Sequence, residues 1–179
     1  ELLAQKGFQN ISANTDGVIT KVHVSKLDDF YNTCKEWEEL TGFSLEYTKY
    51  EKYVCFAVND YIAIKEGFKD SDLPRKDKIK SYVKKKGLFL TELELDKGYF
   101  CPVVAKILES YYCFNEDIVS KLKEHNDIYD FCISKKSSDD FNPIFEYVDK
   151  DTKEVVSELL QKNNRFYISS VSSGGFIKK

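Results

Sequence analysis

The stretch Gly7-Phe8-Gln9-Asn10-Ile11-Ser12-Ala13-Asn14-Thr15-Asp16-Gly17-Val18-Ile19-Thr20-Lys21-Val22-His23-Val24 decides how this chain reads. Apolar residues flank a polar tetrad, Asn14-Thr15-Asp16-Gly17. Phe8 and Ile11 feed one strand. Val18, Ile19, Val22 and Val24 form another, partly alternating with Thr20, Lys21 and His23. Asp16-Gly17 between them is a tight-turn signal, because Gly tolerates positive φ. The pattern predicts a β-hairpin whose tetrad projects from a sheet edge, with His23 on a strand face.

Working outward, Ser25 can cap a helix, and Asp28 and Asp29 suit its positive N-terminal end. Leu27, Phe30, Tyr31, Cys34, Trp37 and Leu40 follow helical spacing, and Gly42 stops the helix. Trp37, the single tryptophan, falls on that apolar face and reads as core. Two more strands follow. Phe43, Leu45 and Tyr47 alternate, as do Tyr53, Cys55 and Ala57, with Tyr61-Ile62-Ala63-Ile64 extending the second. The order β-β-α-β-β predicts an α+β layer with an antiparallel sheet.

Residues 67–86 are polar and basic and contain Pro74, so they read as an extended connector. Helical patterns dominate after Gly87. Pro102 suits the first turn of a helix carrying Val103, Val104, Ile107, Leu108 and Tyr111. Ile118, Val119 and Leu122 mark a second helix. Asn126 caps a third with Ile128, Phe131 and Cys132. Asp151-Thr152-Lys153-Glu154 is a capping-box pattern opening a fourth with Val155, Val156, Leu159 and Leu160. The tail from Arg165 through Ser172-Ser173-Gly174-Gly175 to Phe176-Ile177-Lys178-Lys179 reads as a closing hairpin. The expected division is 1–68, a basic connector 69–95, and 96–179.

Of the 179 residues, 42% are hydrophobic and 32% charged, enough for a buried core on a soluble chain. Apolar runs such as Val103-Val104-Ala105 are too short for a transmembrane helix. No signal-peptide pattern opens the sequence. Cys34, Cys55, Cys101, Cys113 and Cys132 have neither zinc-ligand nor thioredoxin spacing, and read as reduced core thiols of a cytoplasmic protein. The chain holds no methionine and begins at Glu1, which points to an excised or processed piece. Net charge is −3, yet residues 75–86 hold seven basic residues and one acid. Such a stripe is compatible with phosphate contact, and equally with a solvated loop.

Nucleotidyl transfer works largely by positioning and charge stabilisation, with Mg²⁺ shared between carboxylates and substrate phosphates. A short Asp held stiffly on a strand-turn-strand suits one ligand position, and the following Gly leaves room for substrate. Taken alone, the tetrad still reads as an ordinary hairpin turn.

Its surroundings add to that. The chain shows Ala13-Asn14-Thr15-Asp16-Gly17, then a helix ending Trp37-Glu38-Glu39-Leu40-Thr41-Gly42-Phe43, then Leu45-Glu46 and Tyr50. Val58-Asn59-Asp60-Tyr61-Ile62-Ala63 and Lys86-Gly87 follow. The tail holds Pro102-Val103-Val104-Ala105-Lys106-Ile107-Leu108-Glu109-Ser110-Tyr111-Tyr112, Ile128-Tyr129-Asp130-Phe131 and Leu160-Gln161-Lys162-Asn163-Asn164-Arg165-Phe166-Tyr167. In this order the motifs resemble the palm and thumb of family B DNA polymerases, particularly bacteriophage ones. The resemblance spans nearly the whole chain. It implies a palm-like antiparallel sheet with a packed helix, then a mainly helical thumb-like subdomain.

The resemblance also implies a function: Mg²⁺-dependent (or Mn²⁺-dependent) addition of dNTPs to a primer 3′ end, in a bacterial host's cytoplasm. The tetrad stands at the family's DTDS motif. Asp16 takes the principal metal-ligand position, and Asn14 and Thr15 accompany it in the catalytic turn. Asn59, Tyr61 and Lys65 fall at or near the family's KKRY-like segment. With Lys84, Lys85, Lys86, Arg165 and Tyr167 they form the expected contacts to primer-template DNA. Asn14 stands where the family has Asp, and Gly17 where it has Ser; the KKRY lysines are absent. Nothing matches the family's upstream carboxylate motif or its dNTP-binding helix. A missing N-terminal polymerase portion is therefore an expected partner, and the chain alone is expected to be inactive. Two other readings remain: a non-catalytic nucleic-acid or protein-interaction module on a palm-like fold, and a primase-polymerase in which Asp60 or Glu46 faces Asp16.

Overall fold

A computed structural model describes residues 1–91, 99–167 and 175–177. The chain is α+β with antiparallel sheets, and it divides into two compact units, Glu1–Lys86 and Gly87–Lys179.

The first unit opens with a short helix α1 (Leu2–Gln5) and the hairpin β1 (Gln9–Ala13) and β2 (Val18–Lys21). Gln9 pairs with Lys21 and Ala13 with Val18. A bulge at Ile11 breaks the two-residue period, and Ile11 ends 42% exposed instead of inward. Phe8 is buried edge-to-face against Phe30 of helix α2 (Leu27–Thr41). The second strand stops before His23. That residue accepts from the Ser25 N–H through Nδ1 and caps a 3-10 turn, Val24–Lys26. His23 is thus not a strand-face residue, Ser25 lies inside the turn rather than capping α2, and Val24 is 79% exposed. Asp28 and Asp29 do occupy the first turn of α2, and Gly42 closes it at φ +73°.

Helical spacing holds along α2 through Phe30, Tyr31, Cys34 and Trp37 and fails at Leu40, which is 73% exposed. Trp37 is half-buried and stacks on Phe43 at 6.4 Å. That stack, with the Leu45 N–H donating to Glu38 Oε1, folds residues 43–49 back along the helix end instead of into the predicted strand. Regular pairing starts at β3 (Tyr50–Ala57) and continues in β4 (Asp60–Lys65). Lys86 to Val83 then form β5, pairing with Tyr61 to Ile64.

Residues 75–86 of the predicted connector are therefore regular structure, while its residues 92–95 lie outside the described residues. Pro74 stands just before helix α3 (Arg75–Tyr82), and β5 completes a sheet of order β3-β4-β5, separate from the β1-β2 hairpin. Residues 75–82 lack an apolar stripe, so helical spacing could not announce this helix. Local side chains hold it instead: Lys78 donates to the Ser71 carbonyl and lies 4.8 Å over the Phe68 ring. Ile62, Ala63, Ile64 and Phe68 are buried, so β4 is covered on both faces.

In the second unit Phe89 is buried in a 3-10 turn, Gly87–Phe89. Strand β6 (Tyr99–Phe100) leads into α4 (Pro102–Phe114), with Pro102 in its first turn as expected. Asp117 caps α5 (Ile118–Glu124) by accepting from the Ser120 N–H, which holds its carboxyl below the usual range. The predicted third helix is a 3-10 turn, Ile128–Phe131. Asp130 within it is buried, and its Oδ2 accepts from Lys106 Nζ at 2.5 Å and meets His125 Nε2 at 2.6 Å. Strands β7 (Ile133–Lys136), β8 (Ile144–Val148), β9 (Val155–Leu159), β10 (Asn163–Tyr167) and β11 (Gly175–Ile177) complete the chain.

The predicted fourth helix is strand β9, paired antiparallel with β8. Asp149 Oδ1 accepts the Asp151 and Thr152 N–H groups, and Lys153 adopts φ +63°. Thr152 Oγ1 accepts from Glu154 two residues on, so the box-like residues close a hairpin turn rather than open a helix. With β6, β7, β10 and β11 in a second sheet, the described residues of this unit are mixed helix and strand rather than mainly helical. β10 and β11 pair antiparallel as the closing hairpin requires, while residues 168–174 lie outside the described residues. No helix among the described residues is long and apolar enough to cross a membrane.

Candidate nucleic-acid interface and metal-binding turn

Hairpin geometry puts the tetrad in solvent. The Asn14 N–H donates to the Gly17 carbonyl at 2.9 Å, and Asn14 Oδ1 accepts the Asp16 N–H at 3.1 Å. The Asn14 side chain thus makes an Asx turn that stiffens the loop from within. Thr15 and Asp16 are exposed at its tip. Gly17 does not use positive φ, so the conformational reason for glycine expected there does not apply. A Cβ on Gly17 would meet only Asn14 Oδ1, at 3.9 Å. Gly17→Ala is therefore expected to change stability by no more than about 0.5 kcal/mol. Gly42→Ala, forced into the left-handed region, is expected to cost about 1 kcal/mol. Thermal unfolding of the two variants side by side checks the contrast.

Asp16 supplies one carboxylate. Among the described residues no three or more His, Cys, Asp or Glu side chains are grouped so as to hold a metal ion. Mg²⁺ is usually held by one or two carboxylates together with substrate phosphates and water. A lone, solvent-facing Asp16 fits one ligand position of such a site and does not make a cage by itself. No catalytic step is assigned to this chain alone.

The expected DNA contacts fall into two groups. Asn59, Tyr61, Lys65, Lys84, Lys85 and Lys86 gather on the β3-β4-β5 sheet, although they are spread over 28 residues of sequence. Asn59 lies in the β3–β4 turn rather than on a strand. The pairs Tyr61–Lys86 and Ala63–Lys84 set Lys84 and Lys86 on the same sheet face as Tyr61. Tyr53 and Cys55, partners of Ala63 and Tyr61, share that face, and the Tyr53 and Tyr61 rings stack at 5.5 Å. Burial pushes the Tyr53 hydroxyl's pKa up, while its hydrogen bond with Ser12 of β1 pulls it down.

Strand alternation separates the lysine triplet. Lys84 and Lys86 are exposed. Lys85 pairs with the buried Ile62, on the opposite face, and is half-buried. Lys65 Nζ donates to the Ser81 carbonyl at 3.4 Å and ties β4 to the end of α3. Tyr53 was not among the sequence-predicted contacts; its strand spacing was legible, but its stacking partner depended on the β3–β4 register.

Arg165 and Tyr167 belong to the second unit, on β10. The Arg165 guanidinium lies 4.9 Å over the Tyr129 ring. Both Arg165 and Tyr167 are half-buried. Arg165 thus helps close its own unit, the role a phosphate contact would compete with. Comparison with protein-family models, curated proteins and solved structures finds no match.

Proposed function

We propose that this chain is the C-terminal palm and thumb portion of a bacteriophage-type family B DNA-directed DNA polymerase. It binds primer-template DNA and contributes to Mg²⁺-dependent (or Mn²⁺-dependent) addition of dNTPs to the primer 3′ end. Asp16 supplies one metal ligand, with Asn14 and Thr15 shaping its turn. The remaining carboxylate and the dNTP site come from an upstream polymerase portion in the same cytoplasm. The observation that carries the reading is the combination within one unit of an exposed Asp16 on an Asx-stiffened hairpin and a Tyr–Lys sheet face.

Lys84 and Lys86 contact backbone phosphates, and Tyr61 and Asn59 lie beside them. Lys65 and Lys85 support that face from the α3 end and from the opposite side. Arg165 and Tyr167 are the thumb's contribution. The double variant Lys84→Ala/Lys86→Ala is expected to weaken primer-template binding about tenfold or more at low salt. It should also reduce the slope of log K against log salt by about two. Fluorescence anisotropy across a salt series reads both. Unchanged affinity and slope would remove this face from the interface.

A second reading, a non-catalytic nucleic-acid-binding module, is favoured by one contrast. The basic, tyrosine-bearing face is assembled within this chain, whereas no metal-holding carboxylate set is found among the described residues. Both readings require the lysine effect. Only the polymerase reading requires loss of extension when Asp16 is replaced.

A further inference from the structure

The second unit brings two cysteines together that lie 31 positions apart in the chain. β6 and β7 pair Tyr99 with Ser134 and Phe100 with Ile133. One step beyond those pairs Cys101 has left strand conformation, and its N–H donates to the Cys132 carbonyl at 3.1 Å. A backbone bond of this kind keeps the two Cα atoms about 5–6 Å apart. The Cys132 thiol, raised first by burial, is close enough to Cys101 to be pushed up by it electrostatically as well. The Cα spacing lies inside the roughly 4.4–6.8 Å range that a disulfide spans. The two thiols also face neighbouring carbonyls. Cys101 Sγ lies 3.5 Å from the Phe131 oxygen, and Cys132 Sγ lies 3.4 Å from the Ile128 oxygen.

Their surroundings differ. Cys132 is fully buried, and burial pushes its thiol up, with the Arg165 guanidinium drawing it partly back. Cys101 is partly exposed and sits just before Pro102 at the start of α4. It is one of three non-glycine residues at positive φ among the described residues, at φ +39°. Such a conformation persists only where its surroundings hold it, here the backbone bond to Cys132. Both cysteines are reduced in this structure.

We propose that Cys101 and Cys132 are a redox-active dithiol that a peroxide closes into a disulfide. The Cys101 thiolate sulfur attacks one peroxide oxygen, and the O–O bond breaks. Cys101 becomes a sulfenic acid, and the departing hydroxide takes up a proton as water. The Cys132 sulfur then attacks the Cys101 sulfur, and the S–O bond breaks. Hydroxide leaves with the Cys132 proton as a second water. Two thiols and one hydrogen peroxide thus give one disulfide and two waters, the sulfurs losing two electrons and the peroxide gaining them. The bond joins the start of α4 to the start of β7 and closes a loop holding α4 and α5. Cys101 acts first because it is the accessible sulfur, and Cys132 resolves it from within the core. This chemistry does not depend on the polymerase reading.

The test treats the full chain with stoichiometric hydrogen peroxide, blocks remaining thiols, and maps peptides by mass spectrometry before and after dithiothreitol. The expected result is loss of two hydrogens in intact mass and a reducible Cys101–Cys132 crosslink, with Cys34, Cys55 and Cys113 still alkylated. Cys132→Ser should instead accumulate a dimedone-reactive sulfenic acid at Cys101. In Cys101→Ser neither the crosslink nor a sulfenic acid at Cys132 should form. A wild-type chain whose Cys101 goes to sulfinic acid without crosslinking, or stays unreacted, overturns the proposal. So does crosslinking of other cysteine pairs in equal yield. The wild-type map decides the matter even if a serine variant fails to fold.

Discussion

If the proposed polymerase function holds, Asp16→Ala in the full-length protein is expected to lower primer extension by about three orders of magnitude or more. A metal-held carboxylate contributes several kcal/mol to stabilising charge in a phosphoryl-type transition state, and each 1.4 kcal/mol or so is tenfold in rate. The fold should survive the change. Asp16 is exposed at the hairpin tip, and its backbone N–H, which closes the Asx turn, is retained in alanine. Circular dichroism and primer-template binding should therefore remain near wild type while single-turnover extension is lost. Asn14→Asp should be tolerated, because an aspartate oxygen can accept the same Asp16 N–H. Near-wild-type extension by Asp16→Ala would sink the metal-ligand assignment and leave the binding-module reading.

Phe89→Ala carries the largest expected loss of stability, about 3–5 kcal/mol for the second unit. The Phe89 ring is 0% exposed and packs edge-to-face on Tyr112 of α4, with ring centres 6.1 Å apart. Truncation leaves a cavity that a 3-10 turn pinned by Gly87 at φ +60° cannot readily collapse. Phe89→Leu keeps most of the volume and is expected to cost less than about 1.5 kcal/mol. Urea unfolding of the two variants separates lost volume from lost aromatic contact. A Phe89→Ala midpoint matching wild type would show that this turn lies outside the cooperative core.

Periodicity over a long window made α2 and α4 legible, along with their punctuation. Gly42 ends the first in the left-handed region, and Pro102 opens the second, as their backbone restrictions require. The Asn14–Gly17 turn is legible for the same local reason, although Gly17 uses no positive φ and the Asn14 side chain closes the turn. Short segments were less decisive. Val155, Val156, Leu159 and Leu160 satisfy helical spacing, yet Val155, Ser157 and Leu159 also alternate, and cross-strand pairing with β8 selected the strand. Residues 43–49 alternate too, but stacking of Phe43 on Trp37 and the Leu45 bond to Glu38 take them out of any sheet.

What the sequence by itself determined is local. It specified that the Asn14–Gly17 turn closes, that α2 stops at Gly42 and α4 starts at Pro102, which carboxylate stands at the hairpin tip, and where positive charge is dense. Each of these follows from backbone restriction or spacing within a few residues. Only the tertiary structure decided which of those charges face together. It set Lys84 and Lys86 beside Tyr61 and turned Lys85 to the other face. It also engaged Arg165 with Tyr129 and brought Cys101 opposite Cys132. Strand register fixes these juxtapositions, and a slip of one residue would exchange the faces. Register is set by pairing between segments far apart in the chain, which no single stretch of sequence contains.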